Sequence, residues 1–232
     1  MAFSRGPSIV TDGLVLALDA ANHKSYPGSG TVWRDLSGNG NNGTLTNGPT
    51  YLTNNGGVFL FDGTDDIATF PALYYLLDDK TYGTWEVWVK DYGYVAGSYN
   101  TAIGSRIGKD LSICRDNTTT GIAILANTTT GGNLNWSTGE DFVANQWQHL
   151  VCTYNNGILK FYLDGVYKAQ NTSRSGEDIN ASTTYATGIG GDVGNSTRDW
   201  NGEIGLGRIW NQVLSDEEVQ QNYNATKSRF GL

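Results

Sequence analysis

Short apolar runs bounded by Gly, Asn, Asp and Thr recur along the chain, and helix-period patterning is nearly absent before residue 214. This pattern predicts an all-β chain. Candidate strands are Leu14–Asp19, Val58–Phe61, Ile67–Phe70, Gly83–Lys90, Thr101–Gly104, Leu111–Arg115, Gly121–Leu125, Gln148–Tyr154, Ile158–Leu163, Val166–Ala169, Ala186–Gly190 and Gly202–Trp210. That is enough for two packed sheets. In the strongest stretch, Trp147–Tyr154 and Ile158–Leu163 flank Asn155-Asn-Gly157, which supplies the positive φ that a tight hairpin needs. Period two places Leu150, Cys152 and Tyr154 on one face, and Leu159, Phe161 and Leu163 on one face of the next strand, all expected to point into the core. A helix signal comes only near the end. Ser215-Asp-Glu-Glu218 reads as a capping box, Val219, Tyr223 and Phe230 share one side, and Gly231 stops the helix.

Long polar connections are expected at Asn22–Gly57, Asp91–Asn100, Asn171–Ser182 and Asp192–Trp200, crowding a rim where binding residues tend to sit. With no linker evident, residues 1–232 read as one domain with a 1–12 N-terminal arm and a 215–230 C-terminal helix. The 15 Lys+Arg against 23 Asp+Glu, net charge −8, exclude nucleic acid and anionic membrane as partners held by bulk electrostatics. The longest apolar run, Ala72–Leu77, is far too short to span a bilayer. Met1–Ser8 lacks the apolar stretch of a signal peptide, so a soluble protein made in a reducing compartment is expected. Cys114 and Cys152 are accordingly read as two buried free thiols rather than a bridge.

Catalytic signatures are weak. Gly38-Asn-Gly-Asn-Asn-Gly43 spells a dinucleotide-binding pattern, but no helix follows to receive a pyrophosphate, so it reads as a loop of turn residues. No G-x-S-x-G occurs, and the acids are mostly isolated. With only His23 and His149, an imidazole metal site is nearly excluded, and His149 reads as a hydrogen-bonded or partly exposed strand residue. Oxygen-ligand calcium is different: Asp62, Asp65 and Asp66 share one turn, with Asp19, Asp35 and Glu203 as further candidates, although solvated turn acids around a Gly give the same pattern. Trp136, Trp200, Tyr92, Tyr94 and Tyr99 fall in predicted loops, where flat rings either stack on sugars or pack under the loops as most aromatic surface does. Trp33, Trp85, Trp88, Trp147 and Trp210 are expected in the core or on sheet faces.

Gly13-Leu-Val-Leu-Ala-Leu-Asp19, Trp33-Arg-Asp-Leu-Ser-Gly-Asn-Gly-Asn-Asn-Gly-Thr44, Phe61-Asp-Gly-Thr-Asp-Asp66, Trp147-Gln-His-Leu-Val151, Tyr162-Leu-Asp-Gly165 and the segment from Gly202-Glu-Ile204 to Glu218 resemble, in order, the laminin-G-like, concanavalin A-like jelly-roll domains. Ser4–Leu14 and Gln221–Gly231 are similar to versions in structural proteins of tailed phages. The resemblance implies an antiparallel two-sheet jelly-roll sandwich, non-enzymatic, that binds glycan or protein, often with one calcium, structural or glycan-bridging. Gly205 departs from the family's acid at that position, which weakens a calcium site built on it. The expectation is a virion protein of capsid or tail surface that adheres to host-surface polysaccharide. The alternatives are a capsid decoration or tail-assembly subunit contacting other virion proteins or copies of itself, and a bacterial extracellular carbohydrate-binding module.

Overall fold

The structure, a computed structural model, describes residues 7–77, 81–93, 99–105, 111–117, 120–181, 183, 185–193 and 197–232. Its strands are β1 (Leu14–Asp19), β2 (Val32–Trp33), β3 (Gly43–Thr46), β4 (Thr50–Leu52), β5 (Val58–Asp62), β6 (Ile67–Phe70), β7 (Tyr82–Asp91), β8 (Asn100–Gly104), β9 (Leu111–Arg115), β10 (Gly121–Thr128), β11 (Gly132–Asp141), β12 (Trp147–Asn155), β13 (Ile158–Leu163), β14 (Val166–Asn171), β15 (Thr187–Ile189) and β16 (Asn201–Trp210). Among the described residues, two eight-stranded antiparallel sheets form the jelly-roll sandwich. The first runs β14-β13-β12-β7-β16-β5-β4, with β1 also on β16; the second runs β11-β10-β9-β8-β15-β6-β3-β2.

The strongest hairpin forms as its pattern predicts. Cys152 pairs with Phe161 and Leu150 with Leu163, and all six alternating residues enter the main core between the sheets. Trp33, Trp85 and Phe59 are fully buried there, each such side chain contributing about 1.5–3 kcal/mol by leaving water. Cys114 and Cys152 are free and buried, and burial raises the Cys152 thiol pKa.

Two sequence expectations are corrected. The segment read as one loop from Asn22 to Gly57 contains β2, β3 and β4. These are short strands with little apolar alternation to announce them. The polar run Gly132–Asp141 is also a strand, β11, because an edge strand needs an apolar residue only where it faces the core.

The C-terminal helix α2 follows the one-turn α1 (Leu73–Leu76) in chain order and spans Asp216–Thr226, continuing into a 3₁₀ turn at Lys227–Phe230. Its capping box forms: Glu218 N donates to Ser215 Oγ at 3.2 Å and Ser215 N to Glu218 Oε2 at 2.8 Å. The helix covers the outer face of the first sheet. Val219 packs with Val151, Tyr162 and Trp210, while Phe230 stacks on Trp88 at 4.2 Å. Gly205 explains the departure noted in the sequence: a Cβ there would lie 2.7 Å from the Phe230 ring. The described part of the arm meets the helix and β16 at Val10, whose N donates to Asn222 Oδ1 at 2.8 Å and whose O accepts from Trp210 Nε1 at 3.1 Å.

Candidate functional site

At one rim of the sandwich, two connections cross from sheet to sheet. Residues 63–66 lead from β5 to β6, and the described residues 190–193 and 197–200 lie between β15 and β16. Since β5 pairs with β16 and β6 with β15, the two crossings run side by side, with Asn201 opposite Asp62. The first is the acidic turn. Gly63 takes φ +74°, Thr64 N donates to Asp62 Oδ1 at 2.8 Å and Asp62 N to Asp66 Oδ2 at 3.1 Å. Carboxylate oxygens of Asp62, Asp65 and Asp66 then lie within 4.8 Å of one another.

The second crossing brings Asp199, which the sequence reading did not include. Its side chain is 5% exposed, and Oδ2 is buried without a hydrogen-bond partner. Burial first, then the charges of Asp65, Asp62 and Asp192, push its carboxyl up to about 7. Burial and the same turn's acids raise Asp66 as well. Gly191 separates the crossings: a Cβ there would sit 2.9 Å from Asp199 Oδ1 and 3.5 Å from the Asp66 carbonyl oxygen. Asp192 is neutralised by Arg198 at 3.1 Å. All-oxygen donors of this kind suit a hard cation.

Across β16 from the acidic turn stands Tyr92. Gly202 pairs with Asp91 on one side while Asn201 pairs with Asp62 on the other, two strand spacings or about 10 Å apart. Tyr92 is 38% exposed. Its hydroxyl donates to Glu203 Oε1, its N–H donates to Asn201 O at 3.0 Å, and Lys90 Nζ lies 5.6 Å from its ring centre. Burial and the Glu203 carboxylate push the phenol up to about 12, so it stays a neutral donor. Glu203 is itself 2% exposed, with Oε2 buried and unpartnered. The ring is therefore held in place, with part of its surface open to a ligand.

The remaining expected site residues lie elsewhere. Trp200 is corrected: it is fully buried, edge-on to Phe142 at 5.2 Å, so no sugar reaches its face. Trp136 is on β11 opposite Ile124, half-buried against the main core rather than in a loop. Tyr99 packs over Cys114, Ala123 and Leu125, and Tyr94 lies outside the described residues. Asp19 and Asp35 do not join the acidic turn. Asp19 pairs with Arg229 at 2.6 Å. Asp35 accepts from Ala17 N, Ser37 N, Ser37 Oγ and Asn41 N, closing the free edge of β1 with the Gly38–Gly43 loop. His149, expected to be hydrogen-bonded or partly exposed, is fully buried, with Nε2 3.1 Å from Glu86 Oε1.

Residues 62–220 match the family described as the concanavalin A-like lectin/glucanases superfamily. No curated protein matches the chain in sequence. Among solved structures, the binding domain of Paraclostridial Mosquitocidal Protein 1 is similar at TM-score 0.72 and 14% identity, over 93% of this chain and 52% of that one. Domain 4 of the extracellular arabinanase AbnA of Geobacillus stearothermophilus, solved with arabinotriose, is similar at 0.67 and 18%, over 90% and 98%. The Trypanosoma rangeli sialidase is similar at 0.70 and 18%, over 96% of this chain and 34% of that one. This chain thus spans about half of the mosquitocidal chain and a third of the sialidase. At these identities the shared property is the fold.

Proposed function

Because the chain belongs to the concanavalin A-like lectin/glucanases superfamily, we propose that it is a non-catalytic glycan-binding domain whose ligand docks at the loop rim on Tyr92. The observation that carries this reading is the Tyr92 ring, 38% exposed yet pinned through its hydroxyl to Glu203. A ring fixed before binding loses little entropy on stacking against a sugar. The Asn201 amide beside it and the acidic turn beyond β16 supply polar groups for hydroxyls. The likeness to an arabinanase domain solved with arabinotriose and to a toxin binding domain supports a binding role over a catalytic one. We place the domain on a phage virion surface, where it adheres to host polysaccharide, on the resemblance of its terminal segments to tailed-phage structural proteins.

The test is a glycan array probed with the purified protein, host-envelope polysaccharide included. Binding that falls at least about tenfold in Tyr92→Ala and by less in Tyr92→Phe, which keeps the stacking face but loses the pin to Glu203, is the expected result. Folded wild-type protein that binds no glycan, or Tyr92→Ala that binds as wild type, overturns the assignment.

A further inference from the structure

On the outer face of the first sheet, the N-terminal arm, β1 and the end of α2 frame a cleft of about 360 Å³ that shares no residue with the Tyr92 rim. Arg208 of β16 lines it and is 5% exposed. Its Nη1 donates to the buried Glu86 carboxylate at 2.9 Å, which fixes the guanidinium. Nε and Nη2 have no acceptor among the described residues and, unlike Nε of Arg115 and Arg198, are not sealed from solvent. The β1–β16 register sets Ala17 opposite Arg208 and Asp19 opposite Leu206. Asp19 is therefore the diagonal neighbour of Arg208 on the same face, about 7–8 Å away along the sheet, and it lines the cleft too. Asp19 Oδ1 receives Ala21 N and Arg229 Nη1, whereas Oδ2 accepts nothing from a described residue. Arg208 and Asp19 do not pair with each other. The walls are aliphatic, with Ile9, Leu14, Leu36 and Ala225 on different sides and no aromatic ring among the described lining residues.

We propose that this cleft binds a small zwitterion, a free α-amino acid with an aliphatic side chain, its carboxylate on Arg208, its ammonium toward Asp19 and its side chain against Leu14 and Leu36. The Nε–H and Nη2–H of an arginine point the same way and match the two oxygens of a carboxylate. With Nη1 held by Glu86, that fork is set before the ligand arrives and loses little freedom on binding. Each charged group in the cleft already has one protein counter-ion, Glu86 for Arg208 and Arg229 for Asp19, so the four charges cancel. A ligand with a net charge disturbs that balance, and a zwitterion keeps it. Aliphatic walls without a ring suit methyl groups rather than the stacked face of a sugar. The volume lies in the range of small-molecule sites, about 300–1,000 Å³, and so does the pattern of apolar walls around a few polar groups. Because the walls come from the arm, β1 and α2, an occupant ties these elements together.

The test titrates L-leucine into the full-length protein by calorimetry, with thermal unfolding in parallel, and repeats both with N-acetyl-L-leucine, L-leucinamide and glucose. The expected result is one leucine site with a dissociation constant of about 1 mM or tighter and a melting temperature that rises with leucine. N-acetyl-leucine lacks the ammonium and leucinamide the carboxylate, so each binds at least about tenfold more weakly; glucose does not bind. Arg208→Lys keeps the charge but loses the fork and weakens leucine at least about tenfold. Since Arg208 also supports Glu86, a second variant avoids that pair: Leu36→Trp, at an exposed wall, fills the cleft and abolishes leucine binding while the protein stays folded. No heat and no thermal shift with leucine, N-acetyl-leucine or leucinamide binding as tightly as leucine, glucose binding more tightly, or folded Leu36→Trp binding leucine as wild type overturns the site.

Discussion

Arg208 Nη1 donates to Glu86 Oε1 across 2.9 Å in a layer that the C-terminal helix seals from water. His149 Nε2 stands 3.1 Å from the same oxygen, and Asn222 Nδ2 of α2 donates to Glu86 Oε2 at 3.1 Å. Asn222 Oδ1 in turn receives Val10 N, so one buried carboxylate connects the sheet, the helix and the N-terminal arm. Burial pushes the Glu86 carboxyl up, but Arg208, His149 and Asn222 together outweigh it and hold the group below the usual carboxylate range. The folded state therefore binds this proton less readily than the unfolded chain does. The contribution to stability is fully present above the unfolded value of about 4.3 and is lost as pH falls through the lower folded value. Glu86→Ala is expected to destabilise by about 3–5 kcal/mol near neutral pH by stranding Arg208. Urea midpoints measured across the acid range check both points. A variant that unfolds in acid with the same pH dependence as wild type would contradict the linkage.

Trp200 and Tyr92 lie on neighbouring parts of the rim and separate stability from binding. Trp200→Ala opens a cavity against Phe142 and is expected to cost about 3–5 kcal/mol, while the folded fraction keeps its glycan affinity. Tyr92→Ala is expected to impair binding, with a smaller loss of stability that comes from removing the hydroxyl donor to the buried Glu203 carboxylate. Thermal unfolding and binding measured on the same preparations decide this.

Asp35 is a structural acid, so its replacement is insensitive to metal. Asp35→Ala removes an acceptor of four hydrogen bonds and is expected to destabilise by about 1.5–3 kcal/mol or more. It also uncovers the edge of β1, a template for association. Equal loss with calcium and with chelator, together with increased light scattering, is the expected outcome; a loss seen only with calcium would return Asp35 to the metal site.

The site was legible in its parts. Phe61-Asp-Gly-Thr-Asp-Asp66 announces three acids on one turn, because turn chemistry is local, and the same segment holds them within 4.8 Å in the fold. Tyr92 stands just past the end of a strongly alternating strand, and such positions fall on rims. Asp199 carried only a faint signal, an acid shortly before the predicted strand Gly202–Trp210. Its meaning depends on β15 lying beside β6 and β16 beside β5, pairings between segments more than a hundred residues apart.

The sequence by itself determined the all-β class, the hairpin register from Trp147 to Leu163, the capped C-terminal helix and the acidic turn. Each of these depends on period-two alternation, turn residues or a cap acting over a few positions. Only the tertiary structure decided that Trp200 is core, that Trp136 lies on an edge strand, that Asp35 closes the edge of β1, and that the buried Asp199 lies near enough to the acidic turn for its charges to raise the Asp199 carboxyl. An aromatic or a carboxylate in a polar loop has the same local pattern whether it meets solvent or a neighbouring loop. Which of the two it meets is set by long-range strand pairing, and that pairing fixes the burial and charge environment from which a site is made.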